Sequence, residues 1–506
     1  MHNKRNIFYL IRVREYMKKP TYRLGFKIIR TVVCEKDIPF QKVWEKHSNQ
    51  PITYEGGQLY FSNYTKCYTC FGLGGVPCLL YSLTNHHTTE KIEDCLVCYG
   101  SLDKIPIEHK GYRPSLLALK NSWLMRYDLE TGAMLEQVYL SPALKFKHLA
   151  WDTAMEYFVA RTVQMDVRGQ SHQENKTLLV LAVFSVFPLQ FVAMLEVSTH
   201  VFCRDICSCM MSDGLLLVMH QNNFIRFYSF DHILKQGQLQ SASLYTQCGQ
   251  VGGVVGIPPY GLPVNVTLTA CPDVLFEVRS VEHYLCIGGI PWHYIFTPRG
   301  QDGCYHVFTL DSRQLIGAGR IDLKVATLEP DKCNFHPDGR IIHTSEHEIR
   351  KVIQPKYTSS GRPIRRTTRF SEDALDDSLN TIQTVDYEDE LDLIVTVVTE
   401  MKHGDLQAKV KVYDNETGRF IRDIELDEPW AEFSEHVVIL DLDTIIHTVK
   451  QPGRKFACYV HRLQRTPSEP QLIRRKDTLQ PTLGQRNRSH TANRSRRRTA
   501  SRTVSQ

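Results

Sequence analysis

Four cysteines have the spacing to do chemistry. Cys67 and Cys70 form one Cys-x-x-Cys pair and Cys95 and Cys98 a second, each followed by an aromatic residue and a glycine, Phe71-Gly72 and Tyr99-Gly100. Four thiolates so placed can hold a tetrahedral Zn²⁺ or cycle as dithiols. Against this stands the run Lys91-Ile92-Glu93-Asp94-Cys95-Leu96-Val97-Cys98, which reads as a strand. Residues i and i+3 of a strand face opposite sides, so Cys95 and Cys98 would not close on one ion. The expectation is no metal and no cofactor. A zinc or redox protein built on Cys67, Cys70, Cys95 and Cys98 stands as the alternative.

Other strings resemble catalytic motifs in letters only. His343-Thr344-Ser345-Glu346-His347 matches the His-x-x-Glu-His string of one metallopeptidase class, whose chemistry needs a helix. Here Asp338-Gly339 precedes it and Glu348-Ile349-Arg350-Lys351-Val352-Ile353 follows, so it reads as a hairpin. Gly249-Gln250-Val251-Gly252-Gly253-Val254-Val255-Gly256 lacks the Gly-Lys-Ser/Thr ending of a phosphate loop and the spacing of a dinucleotide site. With Pro258-Pro259-Tyr260-Gly261-Leu262-Pro263 behind it, it reads as a long loop. No Gly-x-Ser-x-Gly elbow offers a nucleophile, so the chain reads as no enzyme. Trp292, His293 and Tyr294 are polar-aromatic candidates for a binding loop, with burial in the core the equal alternative.

The elements that would position such residues are strands. Leu116-Leu117-Ala118-Leu119, Trp123-Leu124-Met125-Arg126-Tyr127 and Met134-Leu135-Glu136-Gln137-Val138-Tyr139-Leu140 are short apolar or alternating runs. Asp128-Leu129-Glu130-Thr131-Gly132 joins the last two, with Asp to bond the backbone ahead and Gly to take a positive φ. The phrase returns at Asp414-Asn415-Glu416-Thr417-Gly418, 286 residues later. At roughly 40–50 residues per four-stranded blade, that separation predicts six or seven blades between the two. Few amphipathic helices interrupt the series. The fold expected is all-β, a WD-type β-propeller of about seven blades. Residues 178–195 are apolar enough to suggest a membrane span, but Pro188 and Gln190 interrupt them, and two buried strands of a hairpin fit better. A membrane-embedded protein is thus a further alternative.

The chain's 506 residues carry a net charge of +6, and that charge is unevenly placed. Residues 1–30 sum to +8 and residues 465–506 to +9, which leaves a body of −11. Such a body argues against a nucleic-acid groove in the fold itself and leaves nucleic-acid contact to the tail. The organisation expected is a basic extension over 1–30, a propeller over 31–463 and a basic disordered tail over 464–506. Loop insertions are expected near 164–175 and 354–377. Arg494, Arg496, Arg497 and Arg498 are candidates for a nuclear import signal. Fifteen scattered cysteines suit a reducing compartment.

Several blocks carry a resemblance. They are Lys91-Ile92-Glu93-Asp94, Leu149-Ala150-Trp151-Asp152-Thr153, Leu275-Phe276-Glu277-Val278, Ile287-Gly288-Gly289 with Pro291-Trp292-His293-Tyr294-Ile295, Val385-Asp386-Tyr387-Glu388-Asp389-Glu390-Leu391-Asp392-Leu393, and Cys458-Tyr459-Val460. Over roughly residues 24–463 the chain resembles the seventeenth family of the DDB- and cullin-four-associated factors, substrate-receptor subunits of the cullin-four RING ubiquitin ligase. The resemblance implies a non-enzymatic receptor that docks on the ligase's damaged-DNA-binding adaptor and presents protein substrates. It also implies a nuclear, nucleolar-enriched location. One motif departs from that set. Trp151-Asp152-Thr153-Ala154 has Ala where Trp-Asp-x-Arg places the arginine that reaches the adaptor, and it reads as opening a strand instead of closing one. No docking residue is carried over.

Overall fold

Burial differs from strand to strand within a sheet, and this explains where the apolar runs went. In the computed structural model, strand Ser115–Lys120 is buried at all six positions, Trp123–Asp128 alternates, and Met134–Tyr139 is largely exposed. A strand inside a sheet that is itself covered on both faces needs apolar side chains on both sides, and an edge strand does not. Thr177–Ser185 repeats the pattern of the buried inner strand.

The structure describes residues 20–464 apart from 56–58, 70–75, 84–91, 99–114, 153–156, 164–176, 280–284, 289–292, 297–303, 312–313, 323–332, 336–340, 345–348, 353–355, 358–362, 365–366, 370–380 and five interruptions of one or two residues. Within it are eight four-stranded antiparallel sheets, seven of them running in chain order from first strand to fourth, at 52–82, 92–139, 146–198, 206–279, 285–322, 333–369 and 381–429. The eighth takes three strands from 435–463 and its fourth, Phe40–Ser48, from the start of the chain. First strands of neighbouring sheets touch, as Ile92–Cys98 does Phe146–Asp152 and Thr381–Glu388 does Glu435–Asp441. Ile52–Tyr54 of the first sheet touches the last sheet. This is a β-propeller closed by its own N-terminal strand, with eight blades where about seven were expected.

The blade spacing is corrected too. Asp128 and Asp414 lie in blades 2 and 7, five steps apart instead of six or seven, because insertions lengthen the blades between them. Blade 4 alone holds helix Phe230–Gly237 and the loop that follows it. That loop runs back across blades 2 and 3: Leu262 N–H donates to Leu140 O, and Val266 N–H to Met194 O. Gly261, at φ +78°, brings backbone to backbone there, since a Cβ on it would stand 2.9 Å from Leu140 O. Residues 178–195 form a hairpin of two strands, Thr177–Ser185 and Gln190–Ser198, as expected. Among the described residues no helix is long and apolar enough to cross a membrane.

Two regularities escaped the sequence. In seven blades the outermost strand carries one unpaired extra residue, namely Leu80, Leu135, Val192, Leu275, Ala318, Ile421 and, on the closing strand, Val43. Bulges there bend the strand and spoil the edge as a template for another chain. Helix Pro20–Cys34 also crosses the boundary drawn at residue 30, packing Phe26, Ile29, Val32 and Val33 on the core shared by blades 7 and 8. The buried Arg422 guanidinium donates to Val33 O, Glu35 O and Ile38 O, satisfying carbonyls at the helix end.

Candidate protein-interaction surface

Where blade 7 passes into blade 8, the sequence Glu428-Pro429-Trp430-Ala431-Glu432-Phe433-Ser434-Glu435-His436 leaves one strand and enters the next. Trp430 N–H donates to Leu406 O (3.0 Å) and Ser434 N–H to Ala431 O (3.0 Å), so the loop is pinned at its root and turned at its tip. The Trp430 ring lies on His436 with centroids 3.9 Å apart and planes 15° from parallel. His436 Nε2 bonds Ala431 O at 3.1 Å, which makes Nδ1 the acceptor for Nε2–H of His447 at 3.0 Å. His447 Nδ1 is then turned toward Glu428, 3.9 Å away.

Glu428 is the buried centre of this group, 4% exposed. Its oxygens stand 3.4 Å from His461 Nε2 and 3.3 Å from Lys42 Nζ, on the closing strand. Burial alone would push its pKa up, but His447, His461 and Lys42 outweigh that and hold the carboxyl well below the usual carboxylate range. Burial, with His447 beside it, holds His436 below the ordinary histidine value despite the bond to Ala431. In the same loop Phe433 stands 89% exposed, and Met401 and Val437 are exposed too, at 59% and 47%. No motif flags the three histidines, 11 and 14 residues apart. The only signal was two aromatics in a short connection between strands.

Two aspartates pin one blade to the next. Asp94 accepts from Leu149 N (2.8 Å) and Asp152 from Gly214 N (2.8 Å), each reaching the next blade. Trp151-Asp152 was read as opening a strand and in fact closes Phe146–Asp152, because pairing of Asp152 with Tyr157 turns the chain back. Arg126, fully buried, donates to Val186 O at 2.6 Å and so joins blade 2 to blade 3.

Of the cysteines, Cys67, Cys95 and Cys98 are buried on strands Lys66–Thr69 and Ile92–Cys98, while Cys70 lies outside the described residues. Burial pushes the Cys67 and Cys98 thiols up to about 12 each, so they fill the core as neutral groups. Among the described residues they do not join a cluster able to hold a metal; Glu388, Glu390 and Asp441 do come within 4.8 Å of one another. His343 lies on Ile341–Thr344, paired antiparallel with Ile349–Val352 and not on a helix; 345–348 are outside the described residues. His293 and Tyr294 begin strand His293–Phe296, and Trp292 is outside the described residues. So are Arg494, Arg496, Arg497 and Arg498.

Comparison with known proteins places the chain. Residues 25–356 and 346–463 match the family described as DDB1- and CUL4-associated factor 17. The zebrafish (Danio rerio) protein of that name is 37% identical over 484 residues, 88% of this chain and 91% of that one. The human protein (Homo sapiens) is 34% identical over 87% of this chain and 92% of its own length. Among solved structures, Sqt1 from Chaetomium thermophilum aligns with a TM-score of 0.40 and 10% identity, covering 85% of this chain and all of that one. With two relatives above a third identical over nearly their whole length, the chain belongs to the DDB1- and CUL4-associated factor 17 family.

Proposed function

We propose that this chain is a non-catalytic substrate receptor of the cullin-four RING ubiquitin ligase. Its propeller docks on the DDB1 adaptor and holds target proteins for ubiquitin transfer by other subunits. The observation that carries this reading is family membership across the whole propeller, from the helix at its start to the last strand of blade 8. A closed ring of eight blades supports it, because it offers rigid faces with loops at both ends. The basic tail supports a nuclear location, with Arg494, Arg496, Arg497 and Arg498 as the import signal; nucleolar enrichment rests on family membership alone.

The test is a pull-down of the full chain from nuclear extract, beside another receptor of the same ligase. DDB1 and CUL4 are expected in both. Their absence from this chain alone, with the other receptor still capturing them, overturns the reading. Removing 465–506 should disperse a nuclear signal, and unchanged localisation rejects the import role.

A further inference from the structure

Phe433 is the most exposed of the large apolar side chains in the described structure, at 89%, and it projects from a loop with a fixed root. A mobile tip would need no explanation. Here Trp430 is only 8% exposed, stacks on His436 and is tied to Leu406 O, and Ala431 O is held by His436 Nε2. Behind His436 stand His447 and the buried Glu428. A rigid aromatic over a buried polar support has the anatomy of a binding anchor, since little freedom remains to be lost when a partner covers it.

The surroundings state what kind of partner fits. Met401 pairs across its hairpin with Leu406, whose carbonyl Trp430 N–H bonds, so Met401 lies on the same end of the molecule as Phe433. Glu432 flanks Phe433 on one side, and Glu435 on the other pairs with Lys450 Nζ at 2.6 Å; residues 381–443, the buried Glu388, Glu390, Glu428, Asp441 and Asp443 included, hold seventeen Asp and Glu against five Lys and Arg. An apolar knob in an acidic field selects an apolar residue carried by a basic segment and repels an acidic one.

We infer that the 430–437 surface, with Phe433 as its anchor, is where this receptor docks its target, through a segment with an apolar residue flanked by Lys or Arg. This rests on the receptor reading. The full chain is titrated with fluorescent synthetic peptides carrying one Leu, Ile or Phe, flanked by Arg in one set and by Glu in the other. The Arg set is expected to bind and the Glu set to bind at least tenfold more weakly. Phe433→Ala should lose the Arg set by tenfold or more while melting at the wild-type temperature, because nothing packs around a side chain so exposed. Glu432→Lys with Glu435→Lys should reverse the preference between the sets. Equal binding of both sets, no binding of either, or wild-type binding by Phe433→Ala overturns the inference. A peptide of residues 465–506 runs alongside, and if it alone binds, the partner as occupant is overturned. Failure of wild-type chain to capture DDB1 sinks the receptor reading separately, whatever the peptides do.

Discussion

Glu428 shows how one buried charge is kept. Three strands of blade 8 and one of blade 7 bring Lys42, His447 and His461 around it, and each arrives from a different strand. Taking such a carboxylate out of water is offset only while its partners stay, and removing its charge leaves Lys42 without its buried counter-ion. Glu428→Gln should cost about 3 kcal/mol of unfolding free energy, read from urea midpoints at pH 7.5. The pH dependence follows from two depressed pKa values, those of Glu428 and His436. Each group contributes stability in full above its unfolded value, roughly 6.5 for His and 4.3 for Glu, and loses it as pH falls through the folded value. The wild-type midpoint should therefore drop between pH 7 and 5 and again toward pH 3. His436→Phe, which keeps a ring over Trp430, should flatten the first drop; an unchanged slope would show that His436 does not titrate there. None of this was legible. The histidines sit on three strands at irregular spacing, and only the register of the sheet brings them together.

The element most legible in the sequence was the turn Asp-x-x-Thr-Gly. In blade 2, Asp128 Oδ1 accepts from Glu130 N, Thr131 N and Thr131 Oγ1, and Gly132 takes φ +71°. In blade 7, Asp414 Oδ1 accepts from Thr417 N and Thr417 Oγ1, both at 2.7 Å, and Gly418 takes φ +72°. Both turns join the third strand of a blade to its fourth, so a repeat in letters was a repeat in structure. Strand positions followed from alternation for the same reason, since each side chain reports its own burial. The helix Pro20–Cys34 was missed because nine Lys and Arg over residues 1–30 spoke louder than Phe26, Ile29 and Val33, which only the blade 7 and 8 core explains. Arg30 is one of those nine, yet it pairs with Asp392 and Asp414 of blade 7. Asp128→Ala should cost about 2 kcal/mol, for three bonds to one buried charge. Asp414→Ala should lose a similar amount and should also release the helix, seen as faster amide exchange over residues 24–34. Equal exchange in both variants would mean that Arg30 does not hold the helix.

At the scale of the whole molecule, a ring of blades has two ends to join, and how they meet decides whether the propeller unfolds as one body. The charge arithmetic set a basic end over residues 1–30 apart from a propeller over 31–463, and the strand that closes the ring, Phe40–Ser48, lies inside the second. The N-terminal segment supplies the eighth blade's outer strand, with Phe40 opposite Leu463 and Ser48 opposite Phe456. Sequence could not show this, because the partner strand lies some four hundred residues away and no local pattern records it. The joint is more than a ladder of backbone bonds. Trp44 on the closing strand packs its ring against Tyr60 and Tyr68 of blade 1, at 5.6 and 5.7 Å, so one residue touches both sides of the seam. Lys42 two residues earlier ties the same strand to Glu428 of blade 7. Trp44→Ala should therefore cost about 3 kcal/mol, the range for large aromatic truncation. The loss should appear as one cooperative transition at lower urea, with amide exchange raised first over Phe40–Ser48, Lys455–Leu463 and Ile52–Tyr54. If exchange rises only on the closing strand while the midpoint stays put, the ring is held by its inter-blade aspartates and not by its seam.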